Sequence, residues 1–101
     1  MANICNNDFF LSKKDSQEDF NKSLANINDF ISEYGIGEVS YSDNDIAEGY
    51  FDSPWTFPIS DFRKLLVGDV YFRCLSQEYG CDYVAMNIFD NGWLNEQTFD
   101  L

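Results

Sequence analysis

The chain has 101 residues, with 18 acidic and 6 basic side chains, no histidine and a formal net charge of -12. That length fits one domain over residues 1–101, and an aromatic content of 18% is too high for an acidic disordered tail. The charge argues against direct nucleic-acid binding, which would need a basic stripe, and the missing histidine removes the commonest general base and metal ligand.

The N-terminal sequence and the cysteines predict a compartment. The first residues show neither the basic nor the apolar region of a signal peptide, and no apolar run approaches the roughly 18 residues of a membrane span. The cysteines Cys5, Cys74 and Cys81 form no C-x-x-C pair and are odd in number. We therefore expect free thiols and a cytoplasmic location, with a Cys74–Cys81 bridge as the weaker alternative.

The clearest predicted element is a helix over residues 17–34. Ser16 is placed to cap its N-terminus, and Asp19 three residues later gives a variant of the capping box. Gly35 follows where a left-handed C-cap is expected. Apolar side chains recur at the spacing of one buried helical stripe, at Phe20, Leu24, Ile27, Ile31 and Tyr34.

A hairpin is predicted directly after this helix. Val39 and Tyr41 alternate with polar residues over residues 36–42, which is the period of a half-buried strand. The turn-forming residues 42–45 follow, and residues 46–52 are predicted to pair back as a second strand. Beyond it, two prolines predict an irregular stretch over residues 54–58.

The next segment predicts a second helical region. Ser60 is predicted to cap it, and Phe62 lies on its apolar face. Gly68 interrupts this region, and a continuation is predicted over residues 69–79. The alternative is a strand at residues 70–75, because Val, Tyr and Phe favour strands.

The C-terminal part predicts a hairpin and completes the fold class. Residues 82–89 are almost continuously apolar, so they are predicted to form a central strand. Asn91 and Gly92 give a strong two-residue turn signal, and residues 93–99 are predicted to return as an edge strand. The expected fold is therefore α+β, with an antiparallel sheet of four to five strands and two to three helices packed on it.

The charges are distributed unevenly along the chain. Residues 23–62 contain eight acidic side chains and no Lys or Arg, and residues 38–55 interleave acidic with aromatic side chains. Exposed carboxylates steer a cationic partner, and aromatic rings supply anchors at interface centres. The alternative is an acidic solvated rim over core aromatics. We predict a partner-binding segment formed by Glu38, Tyr41, Asp43, Asp45, Glu48, Tyr50, Phe51, Asp52 and Trp55.

Motifs for catalysis are missing from the sequence. It contains no glycine-rich phosphate loop, and a nucleophile paired with histidine is impossible. Asp43 and Asp45 are spaced like the start of a calcium loop, but Ala47 and Glu48 break the EF-hand pattern. We expect no catalytic residue, no metal and no cofactor. The alternative class is a small enzyme that uses a carboxylate pair.

One short segment and the overall character of the chain suggest a family. The run Phe89-Asp90-Asn91-Gly92-Trp93 is similar to the Asn-Gly-Trp turn in immunity proteins of ribonuclease-type colicins. Small size and strong acidity also resemble the immunity proteins of bacteriocins and contact-dependent growth inhibition systems. The resemblance implies one cationic partner, a toxic nuclease domain (tRNase, RNase or DNase) that is neutralised in the cytoplasm, with no membrane partner.

The main functional alternative is a phage or plasmid counter-defence protein, either an anti-CRISPR-like inhibitor or a nucleic-acid mimic. A mimic needs carboxylates spaced like phosphates, which follow DNA at about one charge per 1.7 Å of axis. The predicted first helix instead mixes Lys22 with Asp19, Asp29 and Glu33. Because the other acids concentrate around aromatic residues in loops and turns, recognition of one protein surface is favoured.

Overall fold

The computed structural model describes residues 3–78, 80 and 82–99. These residues form a small α+β domain with six strands and two helices. In chain order the elements are β1 (Ile4–Lys13), α1 (Gln17–Tyr34), β2 (Gly37–Ser42), β3 (Ile46–Pro54), α2 (Ile59–Leu65), β4 (Val70–Glu78), β5 (Tyr83–Asp90) and β6 (Trp93–Thr98).

All six strands belong to one antiparallel sheet with the order β2-β3-β1-β4-β5-β6. The predicted α+β class is confirmed, but the sheet has six strands rather than four to five. The additional strand is β1, which pairs with β3 on one side and β4 on the other. The N-terminal segment therefore supplies one of the two central strands.

Helix α1 has the predicted bounds, and both predicted caps are confirmed. The Ser16 hydroxyl accepts a hydrogen bond from the backbone N–H of Asp19 at 3.1 Å. At the other end Gly35 adopts a left-handed φ of 75° and donates its N–H to the carbonyl of Ile31 at 3.0 Å. Phe20, Ile27 and Ile31 of the predicted stripe are buried, and Leu24 packs against the core. Tyr34, the last residue of the predicted stripe, is instead 40% exposed.

The second half of the chain corrects two predictions. Helix α2 begins at Ile59 after Pro58 and has no side-chain cap, so Ser60 lies inside the helix and is not its N-cap. The helical continuation over residues 69–79 is also wrong, because β4 occupies Val70–Glu78 and the alternative strand is confirmed. β4 pairs with β1 on one side and with β5 on the other. These two ladders satisfy the backbone groups of β4, whereas an isolated short helix would be marginally stable.

The C-terminal hairpin is confirmed, but β5 is not central. Asn91 and Gly92 have φ values of 53° and 79°, as a two-residue turn with left-handed residues requires. β6 is an edge strand, and β5 lies directly beside it. One side of β5 faces the helices and the core, and its other side faces away from the helices. The apolar residues on that other side are therefore not explained by a central position in the sheet.

The two sides of the sheet differ in what covers them. On one side the strands bury Phe9, Leu11, Phe51 and Phe72, which join Phe20, Ile27 and Phe62 of the helices in one core cluster. Since strand side chains alternate, the residues between these strand positions point to the opposite side. In the described part of the chain neither helix packs on that opposite side. Neither described helix is long and apolar enough to cross a membrane.

Candidate protein-binding surface

The helix-free side of the sheet, here called the open face, collects five of the nine predicted contact residues. In β3 Glu48, Tyr50 and Asp52 share this side. The register places Glu38 of β2 opposite Tyr50, and Tyr41 opposite Glu48. The central part of the open face combines acidic, aromatic and aliphatic side chains with one arginine. Its residues are Asp8, Phe10, Glu38, Tyr41, Glu48, Tyr50, Asp52, Tyr71, Arg73, Leu75, Met86 and Ile88.

Two tyrosines of the open face are accessible. Tyr41 is 52% exposed and Tyr50 is 44% exposed. The Tyr50 hydroxyl donates to the Glu38 carboxylate at 3.4 Å, so a phenol and a carboxylate lie side by side. A buried aromatic anchor bordered by charge is typical of interface centres, and these rings are available for that role.

Phe51 is a correction to the predicted contact set. It follows Tyr50 in β3 and therefore points to the helical side, where its side chain is 0% exposed. Its ring stacks on Phe62 with the centroids 5.4 Å apart and meets Phe30 edge-on at 5.9 Å. A partner at the surface cannot reach it, so Phe51 belongs to the core.

Asp43 and Asp45 lie at the tip of the β2–β3 hairpin and have structural partners. The Asp43 carboxylate accepts from the backbone N–H groups of Asp45 and Ile46 at 2.8 and 2.9 Å, and from the Tyr41 hydroxyl at 2.8 Å. The two backbone hydrogen bonds and then the tyrosine hydrogen bond lower the pKa of Asp43. Asp45 pairs with Lys13 at 3.1 Å. Both carboxylates thus fix the hairpin tip.

We expect the stabilisation from Asp43 to depend on pH. Because the pKa of Asp43 is depressed in the folded state, this stabilisation is complete above the unfolded pKa of about 4 and is lost as the pH falls through the folded pKa. The Asp43→Asn variant should therefore melt below wild type at neutral pH, and the gap should close in acid. Thermal unfolding at several pH values measures it, with Asn44→Ser as the uncharged turn control. A gap that stayed constant to about pH 2 would contradict the assignment.

Trp55 lies apart from the tyrosines. It follows the end of β3 with a left-handed φ of 67°, and its side chain is 48% exposed. Its backbone N–H donates to the carbonyl of Asn3 at 2.9 Å. Trp55 lies five positions beyond Tyr50, which corresponds to roughly 17 Å of extended chain. A partner that contacts both must extend along the C-terminal half of β3.

Strands β1, β4 and β5 add residues that the sequence did not single out. Asp8 lies opposite Tyr50 in β3 and Leu75 in β4, and Phe10 lies opposite Glu48 and Arg73. The guanidinium carbon of Arg73 is 4.4 Å from the centroid of the Phe10 ring. A cavity of about 360 Å³ opens on the open face, and its walls include Asp8, Phe10, Glu48, Tyr50, Arg73, Leu75 and Met86.

Apolar surface continues from this cavity toward β6. A second depression of about 230 Å³ shares Met86 with the first and includes Ile88 and Trp93. Ile88 is 39% exposed and Trp93 is 58% exposed, and the guanidinium carbon of Arg63 lies 5.2 Å from the Trp93 ring centroid. Of the apolar residues that suggested a central β5, Met86 and Ile88 therefore contribute to an accessible surface, whereas Phe89 is buried in the core.

The carboxylates of the open face form no ion pairs with the described basic residues. In the part of the chain that the structure describes, none of the following forms an ion pair: Asp8, Glu38, Glu48 and Asp52. Lys13 and Lys14 instead pair with Asp45 and Asp90. Lys22 and Lys64 are exposed on the two helices. Of the central open-face residues only Arg73 is basic, and it stacks on Phe10.

Both described thiols are buried. Burial raises the pKa of Cys5 to about 11, and burial also raises the pKa of Cys74 despite its neighbour Arg73 in the sequence, so both stay protonated and weakly nucleophilic. Cys81, and with it the alternative Cys74–Cys81 bridge, lies outside the described residues. Among the described residues, no group of three or more Cys, Asp or Glu side chains is arranged to hold a metal ion.

Comparison of the chain with protein-family models, with curated proteins and with solved structures gave no match. Its function is therefore inferred from the geometry and charge of its own residues.

Proposed function

We propose that this protein is an immunity protein that binds and neutralises a cationic toxin of a bacteriocin or contact-dependent growth inhibition system, with a nuclease domain as the partner. The observation that carries the proposal is the open face. There, four carboxylates without an ion-pair partner in the described chain lie beside the accessible rings of Tyr41 and Tyr50. A nuclease presents cationic surface because it binds phosphate backbones, and this face is complementary to such a surface.

The energetics of the open face favour a bound partner. Carboxylates held on one side of a small domain repel each other and lower the stability of the free protein. A cationic surface relieves that repulsion and accelerates association, while the half-exposed tyrosines supply area for anchoring. A net charge of -12 also exceeds the magnitude of about 2–8 that solubility alone requires of a small domain.

Protection of cells tests the proposal. A large exported protein encoded immediately upstream of the gene for this chain is the expected toxin, and it is expressed in cells together with wild type or a variant. We expect wild type to restore growth and the following open-face triple variant to fail: Glu38→Gln, Glu48→Gln, Asp52→Asn. Its affinity for the toxin domain should fall about 100-fold, since each lost charge removes part of the complementarity.

The matched control has the same change in net charge on the helical side. It carries Asp29→Asn, Glu33→Gln and Asp61→Asn, all at exposed positions in or beside α1 and α2. We expect this control to protect like wild type. Failure of wild type to protect would overturn the immunity function, and full protection by a folded open-face triple variant would overturn the assigned surface. Binding to several unrelated basic proteins in competition with DNA would instead support the nucleic-acid mimic.

A further inference from the structure

We propose that the 360 Å³ cavity on the open face binds one basic side chain, arginine or lysine, of the protein partner. Asp8 and Glu48 would pair with the cation, and Phe10 and Tyr50 would form the aromatic walls. This inference rests on the proposed function for the identity of the partner as a cationic protein. The preference of the cavity for a cationic side chain is testable without that partner.

The strand register brings the two carboxylates and two rings together. Along β1, Asp8 and Phe10 are two residues apart and therefore neighbours on the same face. Directly opposite them in β3 are Tyr50 and Glu48, in that order. The acidic and aromatic residues thus alternate around a square of four neighbouring positions. A cation placed above this square lies near two carboxylates and two aromatic side chains, and the Phe10 ring already contacts the Arg73 guanidinium.

The remaining walls suit the aliphatic part of a long basic side chain. Leu75 lies opposite Asp8 in β4, and Met86 lies opposite Leu75 in β5. Both are partly buried and line the cavity. Lysine and arginine bury their methylene groups along apolar surface while the charged end keeps polar partners. A short or purely apolar side chain would leave the carboxylates unmatched.

Arg73 shows that a wall of this cavity accepts a guanidinium group. Its guanidinium carbon lies 4.4 Å from the Phe10 ring centroid, within the range of a cation–π contact. It forms no ion pair with Asp8 or Glu48 in the described structure. The oxygen atoms of the two carboxylates are therefore available to accept hydrogen bonds from a second cation. The planar guanidinium of an arginine can both pair with a carboxylate and stack on an aromatic ring.

Charge argues against three other occupants of the open face: a second copy of this chain, a nucleic acid, and residues of this chain outside the described set. A second copy of this chain would bring another net charge of -12 and the same acidic face, so the two faces would repel. Nucleic acid would be repelled for the same reason. None of the residues outside the described set is Lys or Arg, so they offer no internal cation. The charge complementarity fits a basic side chain from a different, cationic protein.

The test uses the full chain and two small probes in an NMR titration. N-acetyl-arginine amide is the cationic probe, and N-acetyl-citrulline amide is its uncharged analogue of nearly equal shape. We expect the arginine probe to shift the methyl signals of Leu75 and Met86, with at least about tenfold weaker binding of the citrulline probe. Asp8→Asn and Glu48→Gln should each weaken arginine binding by about tenfold, while Asp29→Asn should leave it unchanged.

Several outcomes would overturn the proposed pocket. They are equal shifts with both probes, shifts spread over α1 and α2, and unchanged arginine binding in folded Asp8→Asn and Glu48→Gln variants. Thermal unfolding confirms that the variants fold, and the citrulline arm needs no variant at all. If wild type binds arginine at this cavity but protects from no toxin, only the immunity function fails. If wild type protects and a double variant that combines Asp8→Asn with Glu48→Gln protects equally, only the pocket fails.

Discussion

Replacing Phe51 with alanine is expected to lower the free energy of unfolding by about 3–5 kcal/mol, whereas Tyr50→Ala should cost less than about 1 kcal/mol. The two residues are neighbours in β3 but point to opposite sides of the sheet. Phe51 is fully buried among Phe9, Phe30 and other core rings, so truncation removes apolar contacts and leaves a cavity. Tyr50 is 44% exposed, so its truncation removes few packing contacts and creates no buried cavity.

Urea denaturation of both variants measures this contrast. A domain of this size has about 5–15 kcal/mol of stability, so Phe51→Ala removes a large fraction of it. Partner binding should depend on Tyr50 more than on Phe51. Tyr50→Ala removes a surface contact, whereas a milder Phe51→Leu variant that still folds retains the whole open face. Equal destabilisation by the two alanine variants would contradict the orientation of β3, and weaker binding of Phe51→Leu alone would contradict its assignment to the core.

The second large effect is expected at Gly49, where an alanine should cost about 3 kcal/mol of unfolding free energy. A Cβ atom there would overlap the backbone carbonyl oxygen of Glu38 in β2. It would also lie 2.7 and 2.8 Å from two atoms of the Phe9 ring, which packs over the glycine. Since a backbone atom and a core ring both oppose it, relief requires β2 or β1 to move.

The effect of Gly49→Ala should reach the open face as well. Moving β2 displaces Glu38, the hydrogen-bond partner of Tyr50, so partner binding should weaken together with stability. Gly92→Asn is the control, because open space surrounds Gly92 and asparagine tolerates its left-handed φ. That control should change stability by less than about 0.5 kcal/mol. A Gly49→Ala variant as stable as the control would contradict the close approach of β2 and β3.

Local signals in the sequence were sufficient for some elements. Helix α1 has a regular apolar stripe, a capping serine and a terminal glycine, and these agree with one another, so its bounds were predicted correctly. The turn at Asn91 and Gly92 was predicted for the same reason, since few other dipeptides adopt two left-handed conformations in succession.

Other elements depend on tertiary structure. β1 was missed because it buries the polar Asn7 and partly exposes Phe10, which obscures its period of two. The side-chain amide of Asn7 is tolerated in the interior because it donates to the Phe51 carbonyl at 3.1 Å and the Ser53 hydroxyl at 2.9 Å. Those partners come from β3, more than forty residues away, and only the folded sheet reveals them.

The sequence predicted only the part of the candidate surface whose residues are close to one another in the chain. The interleaved acids and aromatics of residues 38–55 indicated the β2–β3 hairpin, and Glu48 and Tyr50 do lie together on the open face. The contribution of Asp8, Leu75 and Met86 requires the strand order β2-β3-β1-β4-β5-β6, which no local pattern specifies. The predicted central position of β5 is only partly right, because β5 pairs with both β4 and β6 but lies next to the edge. Its apolar residues divide between the two sides of the sheet: Ala85 and Phe89 are buried in the core, whereas Met86 and Ile88 lie on the open face.

The most direct measurement is the rate of association with the purified toxin domain at increasing ionic strength. For wild type and for the helical-side triple variant, we expect the rate constant to fall by about tenfold or more from low to physiological salt, because screening shortens electrostatic steering to about 8 Å. For the open-face triple variant, the rate should start lower and depend only weakly on salt. Identical salt dependence in all three proteins would contradict the docking of a cationic partner on the open face.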